Sequence, residues 1–184
     1  MNNKLSRIKS LIKKECEKNG LASFYEHHLM AVEKNAQELL SRLPKADKET
    51  VMLGVWLHGL KKVRKLKGDP EEVGSREAEK VLKEFQYPPE TITLVKDIIM
   101  THRCKKHIPT TLEARALATA DAMSQYSSDW VLNYAMTEGM SLAEFKKFMI
   151  EKLEHNYNHR IFFSFAKKLI QKRHEALMYV LTMN

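Results

Sequence analysis

Apolar residues recur at three- and four-residue intervals along nearly the whole sequence, a spacing that restricts the chain to a helical fold. Leu5, Ile8, Leu11, Ile12 and Cys16 form one stripe, and Gly20 offers a C-terminal stop. A second stripe runs through Leu29, Val32, Ala36, Leu39, Leu40 and Leu43 and is ended by Pro44. Val51, Met52, Val55 and Trp56 lead a third helix up to His58. Asp69 and Pro70 suit the N-cap and first position of the next, which continues through Ala78, Val81, Leu82 and Phe85 until "YPPE" breaks it. Pro89 opens a helix through Val95, Ile98 and Ile99 to His102. "TTLE" predicts a capping box of Thr110 with Glu113, and "SLAE" another of Ser141 with Glu144. The last helix carries Phe165, Leu169, Ile170, Leu177 and Val180. No run alternates as a half-buried strand would, so the expectation is one all-α domain over residues 1–184, a helical bundle.

Composition narrows the class of protein. The chain of 184 residues is long enough for a substantial core, and no apolar run approaches the ~18 residues that span a membrane. "MNNKLSRIKS" has no apolar signal core, and Cys16 and Cys104 are too few for a disulfide framework; both point to the cytoplasm. A net charge of +8 suggests anionic ligands, whether nucleotides, other phosphates or nucleic acid. No nucleic-acid recognition motif accompanies it, so nucleic acid is the weakest of the three.

Four polar residues stand on faces that should be buried. His28 shares its helix face with Val32 and Ala36, and His58 follows Val55 and Trp56 at the inner end of a helix. His102 is four residues after Ile98, and Asp121 is four after Leu117. A single core histidine is ordinary, but a buried carboxylate without a partner is costly. A bound cation would satisfy the set together. Two imidazoles and one carboxylate suit a divalent transition metal that keeps positions open, and such a metal can acidify water and neutralise a phosphate oxygen.

These residues resemble the HD-domain superfamily of metal-dependent phosphohydrolases. His28 in "HHLMAVEKNA" matches the family's first histidine, His58 in "WLHG" the histidine of its His-Asp doublet, and Asp121 in "LATADAM" its distant aspartate. "VGSREAEKVLKEF" and "IIMTHR" also look like the family, and the likeness covers roughly residues 20–128, leaving a helical C-terminal extension over 129–184. The resemblance implies an HD-like bundle whose divalent metal (Mn, Mg, Fe, Ni or Zn) is held by His28, His58 and Asp121. It implies a small phosphorylated substrate, with a nucleotide as the finer expectation.

The departure is at Gly59, which stands where the family has the metal-binding Asp of the doublet. Glycine can neither bind a metal nor position water, so the expectation is an impaired enzyme; the alternative is an inactive module that binds phosphate or a nucleotide. A carboxylate from elsewhere, such as Glu72 or Asp69, is the candidate to swing in as a substitute. Downstream, five of the seven residues 61–67 are cationic. Most should lie in solvent; Lys61 and Arg64 are the candidates to meet a phosphate, Arg64 for its bidentate geometry. Arg103 is a further substrate candidate. His102 is a candidate for the catalytic set, with a core role as the alternative. His27 should face away from His28, and Tyr126, Trp130 and Tyr134 should be core packing rather than a stacking surface for a base.

Overall fold

The structure, a computed structural model, describes residues 3–183; Met1, Asn2 and Asn184 of the expected domain lie outside them. Among the described residues there is no strand. The helices are α1 (Asn3–Lys18), α2 (Ala22–Phe24), α3 (Met30–Ser41), α4 (Lys48–Leu57), α5 (Leu60–Val63), α6 (Pro70–Glu84), α7 (Pro89–Thr101), α8 (Leu112–Ser124), α9 (Ser128–Thr137), α10 (Leu142–His155) and α11 (Ser164–Thr182). Two π-helical turns interrupt them, Tyr25–Leu29 ahead of α3 and Asn156–Arg160 after α10.

Two helices form the centre. Every residue of α4 from Thr50 to Leu57 is buried, as is every residue of α8 from Ala116 to Ser124. Helix α8 reaches this depth because alternate positions are alanine, which lets α3, α4 and α7 approach its backbone. Gly54 does the same for α4. A Cβ there would run into the Ile98 side chain and press on Leu117 Cδ2 at 3.0 Å, so a larger residue would have to push Ile98 aside at the α4–α7 contact. Around this centre α6 packs on α7, α1 on α4, and α10 on α11, and the second π-turn seats on α8.

The caps follow the sequence with one correction. Asp69 caps α6 with Pro70 in its first turn, and Ser141 and Glu144 form the reciprocal box at α10. At α8 the cap is Thr111, not Thr110, and its hydroxyl accepts from Ala114 N. Glu113 is drawn out of any box because its carboxylate accepts from the Asp47 backbone N–H at 2.9 Å. Among the described residues no helix is long and apolar enough to cross a membrane.

Candidate metal centre

His28 lies inside the first π-turn, where the widened backbone carries its side chain toward the end of α4. There His58 is the C-cap residue, and Asp121 comes up from the buried centre of α8. The three meet closely. His28 Nε2 is 3.2 Å from His58 Nε2 and 3.3 Å from Asp121 Oδ1, and His58 Nε2 is 3.8 Å from the same oxygen.

The hydrogen bonds around this group fix which atoms carry protons. His58 Nδ1 is 2.9 Å from the Val55 carbonyl, which only accepts, so its proton sits on Nδ1 and a neutral ring presents a bare Nε2. The Ser124 hydroxyl donates to the Asp121 carbonyl at 2.7 Å. His28 Nδ1, 3.3 Å from that hydroxyl, is therefore the donor of the pair, and His28 Nε2 is bare as well. Burial pushes the His28 imidazole down to about 3 against the pull of Asp121, with His58, Lys62 and Lys152 lowering it further. Two ring lone pairs and a carboxylate oxygen thus converge without a proton between them.

This donor set fits a divalent cation. Donors about 2.1 Å from a shared ion stand roughly 3.0–3.4 Å apart in octahedral or tetrahedral geometry, close to the spacings found. Both imidazoles also have their far nitrogen anchored, the usual orienting device for metal-ligating histidine.

The other oxygen of Asp121 belongs to the C-terminal extension. Arg160, the last residue of the second π-turn, donates Nη2 to Asp121 Oδ2, Nε to the His102 carbonyl at 3.1 Å and Nη1 to Asn156 Oδ1 at 2.8 Å. Asn156 in turn donates to Gln125 Oε1 at 2.8 Å, and Gln125 reaches Asp121 Oδ1 at a long 3.4 Å. Thr119 of α8 fastens the turn, donating to the Arg160 carbonyl and accepting from Phe162 N, both at 3.1 Å. Burial alone would raise Asp121; Arg160 together with His28, His58 and His102 outweighs it, and the carboxyl stands well below the usual carboxylate range.

His102 repeats the device of His58. It caps the end of α7, its Nδ1 lies 2.6 Å from the Ile99 carbonyl, and its ring centre is 5.3 Å from that of His58. Burial pushes it down to about 3. It stands beside the group of His28, His58 and Asp121, which alone among the described residues have ligand atoms all within 4.8 Å of one another.

The group lies in the wall of a cavity of about 800 Å³. Lys61, Lys62, Lys65, Arg103, Lys152 and Arg160 line it, against the carboxylates of Asp121 and Glu138. Lys61 and Arg103, the substrate candidates, are thus on the cavity wall. Arg64 does not: it ends the short α5 and turns toward α1 and α6, where Glu15 holds Nε and Nη2 at 2.9 and 2.8 Å and Glu77 holds Nη1 at 2.7 Å. A guanidinium committed to two carboxylates is not free for phosphate. Nor do the substitute carboxylates swing in, since Asp69 caps α6 and binds Lys106 at 2.8 Å and Glu72 lies 3.8 Å from the same ammonium.

Gly59 lines the cavity through its backbone. A Cβ built on it would meet the Phe24 ring at 3.1 and 3.2 Å, closer than ordinary contact. Phe24 stacks on His28 with ring centres 4.9 Å apart, and Lys62 Nζ lies 4.9 Å from the ring centre. An aromatic ring thus stands against the face where the missing carboxylate would begin. Of the aromatic trio, Tyr126 is buried and donates to the Leu153 carbonyl at 2.7 Å, whereas Trp130 and Tyr134 pack on each other and also reach the cavity wall. His27 is more open than His28, 4.0 Å from Asp129, and touches the cavity rim.

Sequence reasoning missed Arg160, Lys152, Ser124 and Asn156. One signal was available for Arg160: no acidic residue lies within four positions of it in "NYNHRIFFS", so its partner had to be distant.

Residues 25–126 match the HD domain family model. The fold is similar to that of an HD-superfamily hydrolase from Bacillus thuringiensis, with a TM-score of 0.72, 17% sequence identity, and coverage of 97% of this chain and 93% of that one. Among curated proteins no match to the chain is found.

Proposed function

This chain belongs to the HD-domain family, and from that premise we propose that it is a metal-dependent phosphohydrolase for a small phosphorylated substrate, a nucleotide by preference, slowed by Gly59. The observation that carries the reading is the meeting of His28 Nε2, His58 Nε2 and Asp121 Oδ1 at 3.2–3.8 Å. A divalent cation held there supplies a Lewis acid that lowers the pKa of water and neutralises a phosphoryl oxygen.

The chain's own residues do the rest. Val55 and Ser124 hold the two imidazoles in the tautomer that leaves Nε2 free, and Arg160 aims Asp121 by occupying its outer oxygen. Lys61, Lys62, Arg103 and Lys152 line the approach for an anionic substrate. His102 stands beside the centre, its ring centre 5.3 Å from that of His58 and its Nδ1 tied to the Ile99 carbonyl, which leaves Nε2 to meet a substrate. With no side chain at position 59, no carboxylate positions the attacking water from that side.

A second reading has a specific observation behind it. Phe24 crowds the space beside Gly59, as expected of a site refitted to bind phosphate or a nucleotide without turning it over. The test is manganese-dependent phosphate release from a nucleotide panel by this chain, by Gly59→Asp, and by Gly59→Asp with Phe24→Leu to relieve the contact. The enzyme reading expects release that rises in the double variant. Ligand-induced thermal stabilisation with no turnover in any of the three supports the binding module instead.

A further inference from the structure

We propose that the cavity binds its divalent cation and its phosphorylated ligand cooperatively, because Lys152 and Arg160 of the C-terminal extension leave a bound cation short of negative charge. The inference rests on the metal reading above and goes beyond it by assigning the extension a role in binding order.

Charge counting carries it. Of the ionised side chains lining the cavity, six are cationic and two are carboxylates, a net of four positive charges before any metal arrives. Lys62 and Lys65 are exposed, hence well screened, and matter little. Lys152 and Arg160 lie deeper. Arg160 already uses one oxygen of Asp121, the single carboxylate in the donor group, and Gly59 supplies none. The Lys152 ammonium lies over the rings of Trp130 and Phe148, 5.6 and 5.7 Å from their centres, not against a carboxylate among the described residues. A divalent cation joining the imidazoles here meets two further positive charges beside donor side chains that are themselves buried, an arrangement disfavoured where the local dielectric is lowered. A phosphate dianion reverses the balance: it gives the cation oxygen donors and gives Lys152 a counter-charge. Each ligand therefore raises the affinity of the other by one common factor, as linkage requires.

The experiment titrates manganese into the full, metal-stripped chain and reads free ion by electron paramagnetic resonance, with and without inorganic phosphate, for this chain and for Lys152→Met. Coupling of the usual size would tighten manganese binding by about 5–150-fold when phosphate is present. In Lys152→Met, manganese alone should bind more tightly and the phosphate effect should shrink several-fold. Methionine keeps the contact with Trp130 and Phe148, so the fold is retained. Equal manganese affinity with and without phosphate overturns the proposal and leaves the metal reading standing. Failure to retain manganese in either condition sinks the metal reading, and the proposal with it. Phosphate that stabilises the metal-free chain as strongly as the loaded one also overturns it.

Discussion

Replacing Arg160 by methionine tests the link between the C-terminal extension and the site. The change removes three hydrogen bonds, to Asp121, the His102 carbonyl and Asn156, from a side chain that is only 4% exposed. It also leaves the Asp121 carboxylate, 5% exposed, without its cationic partner. Breaking a buried pair from one side typically costs about 3–5 kcal/mol, since the remaining charge stays desolvated. Methionine returns some apolar packing, so the lower half of that range is the expectation. At about 2–4 °C per kcal/mol for a domain of this size, the melting temperature should fall by roughly 6–16 °C.

The direction with pH follows from the same pair. Asp121 is depressed in the folded chain, so its contribution is present above the unfolded carboxylate pKa and disappears as the pH falls through the folded value. The deficit of Arg160→Met should therefore be widest near neutral pH and close in strong acid. Manganese should restore part of the lost stability by putting a cation back beside the carboxylate, about 2.7 kcal/mol at a hundred times its Kd. The assay is urea and thermal unfolding of both chains, with and without manganese. A loss below about 1 kcal/mol would refute the account of Arg160 as the charge partner of Asp121.

Two further outcomes follow from the hydrogen bonds of the site. Ser124→Ala leaves His28 Nδ1 without the hydroxyl that fixes its tautomer, so manganese affinity should fall about 10–100-fold, read by the same titration; unchanged affinity would show that Ser124 does not orient the ring. His28 and His102 are pushed down to about 3 in the folded chain, below the ordinary imidazole value, so between about 3 and 6.5 the unfolded chain binds more protons. The metal-free chain should lose stability as the pH falls from about 6.5 toward 3, seen as a lower urea midpoint at about pH 5 than at about pH 7, and His102→Gln should flatten that slope. A midpoint unchanged between those conditions would contradict the burial of neutral imidazoles.

Much of this was legible in the sequence. Helical spacing gave the elements, because a buried helix face must repeat every three or four residues in any surrounding. The same rule exposed His28, His58, His102 and Asp121 as polar groups on inward faces, and the first, second and fourth of these converge. Gly59 was legible too, as a backbone position where the resemblance expects a carboxylate. What failed was whatever depends on direction rather than spacing. Thr110 and Thr111 are adjacent in "TTLE", and in the structure Thr111 is the cap while Glu113 accepts from the distant Asp47 N–H. Arg64 sits in the same basic run as Lys61, yet the end of α5 turns it to Glu15 and Glu77, residues 49 and 13 positions away.

Arg160 shows the limit most clearly. It stands 39 positions beyond Asp121, in a segment whose sequence reads as a helical extension of no stated purpose. Sequence spacing fixes which residues share a helix face, because that geometry is local. Which face meets which, and therefore that the extension delivers a guanidinium to the carboxylate of the metal centre, depends on a π-turn fastened to α8 by Thr119. Contacts between distant segments have no period in the sequence, and the tertiary structure alone decided them.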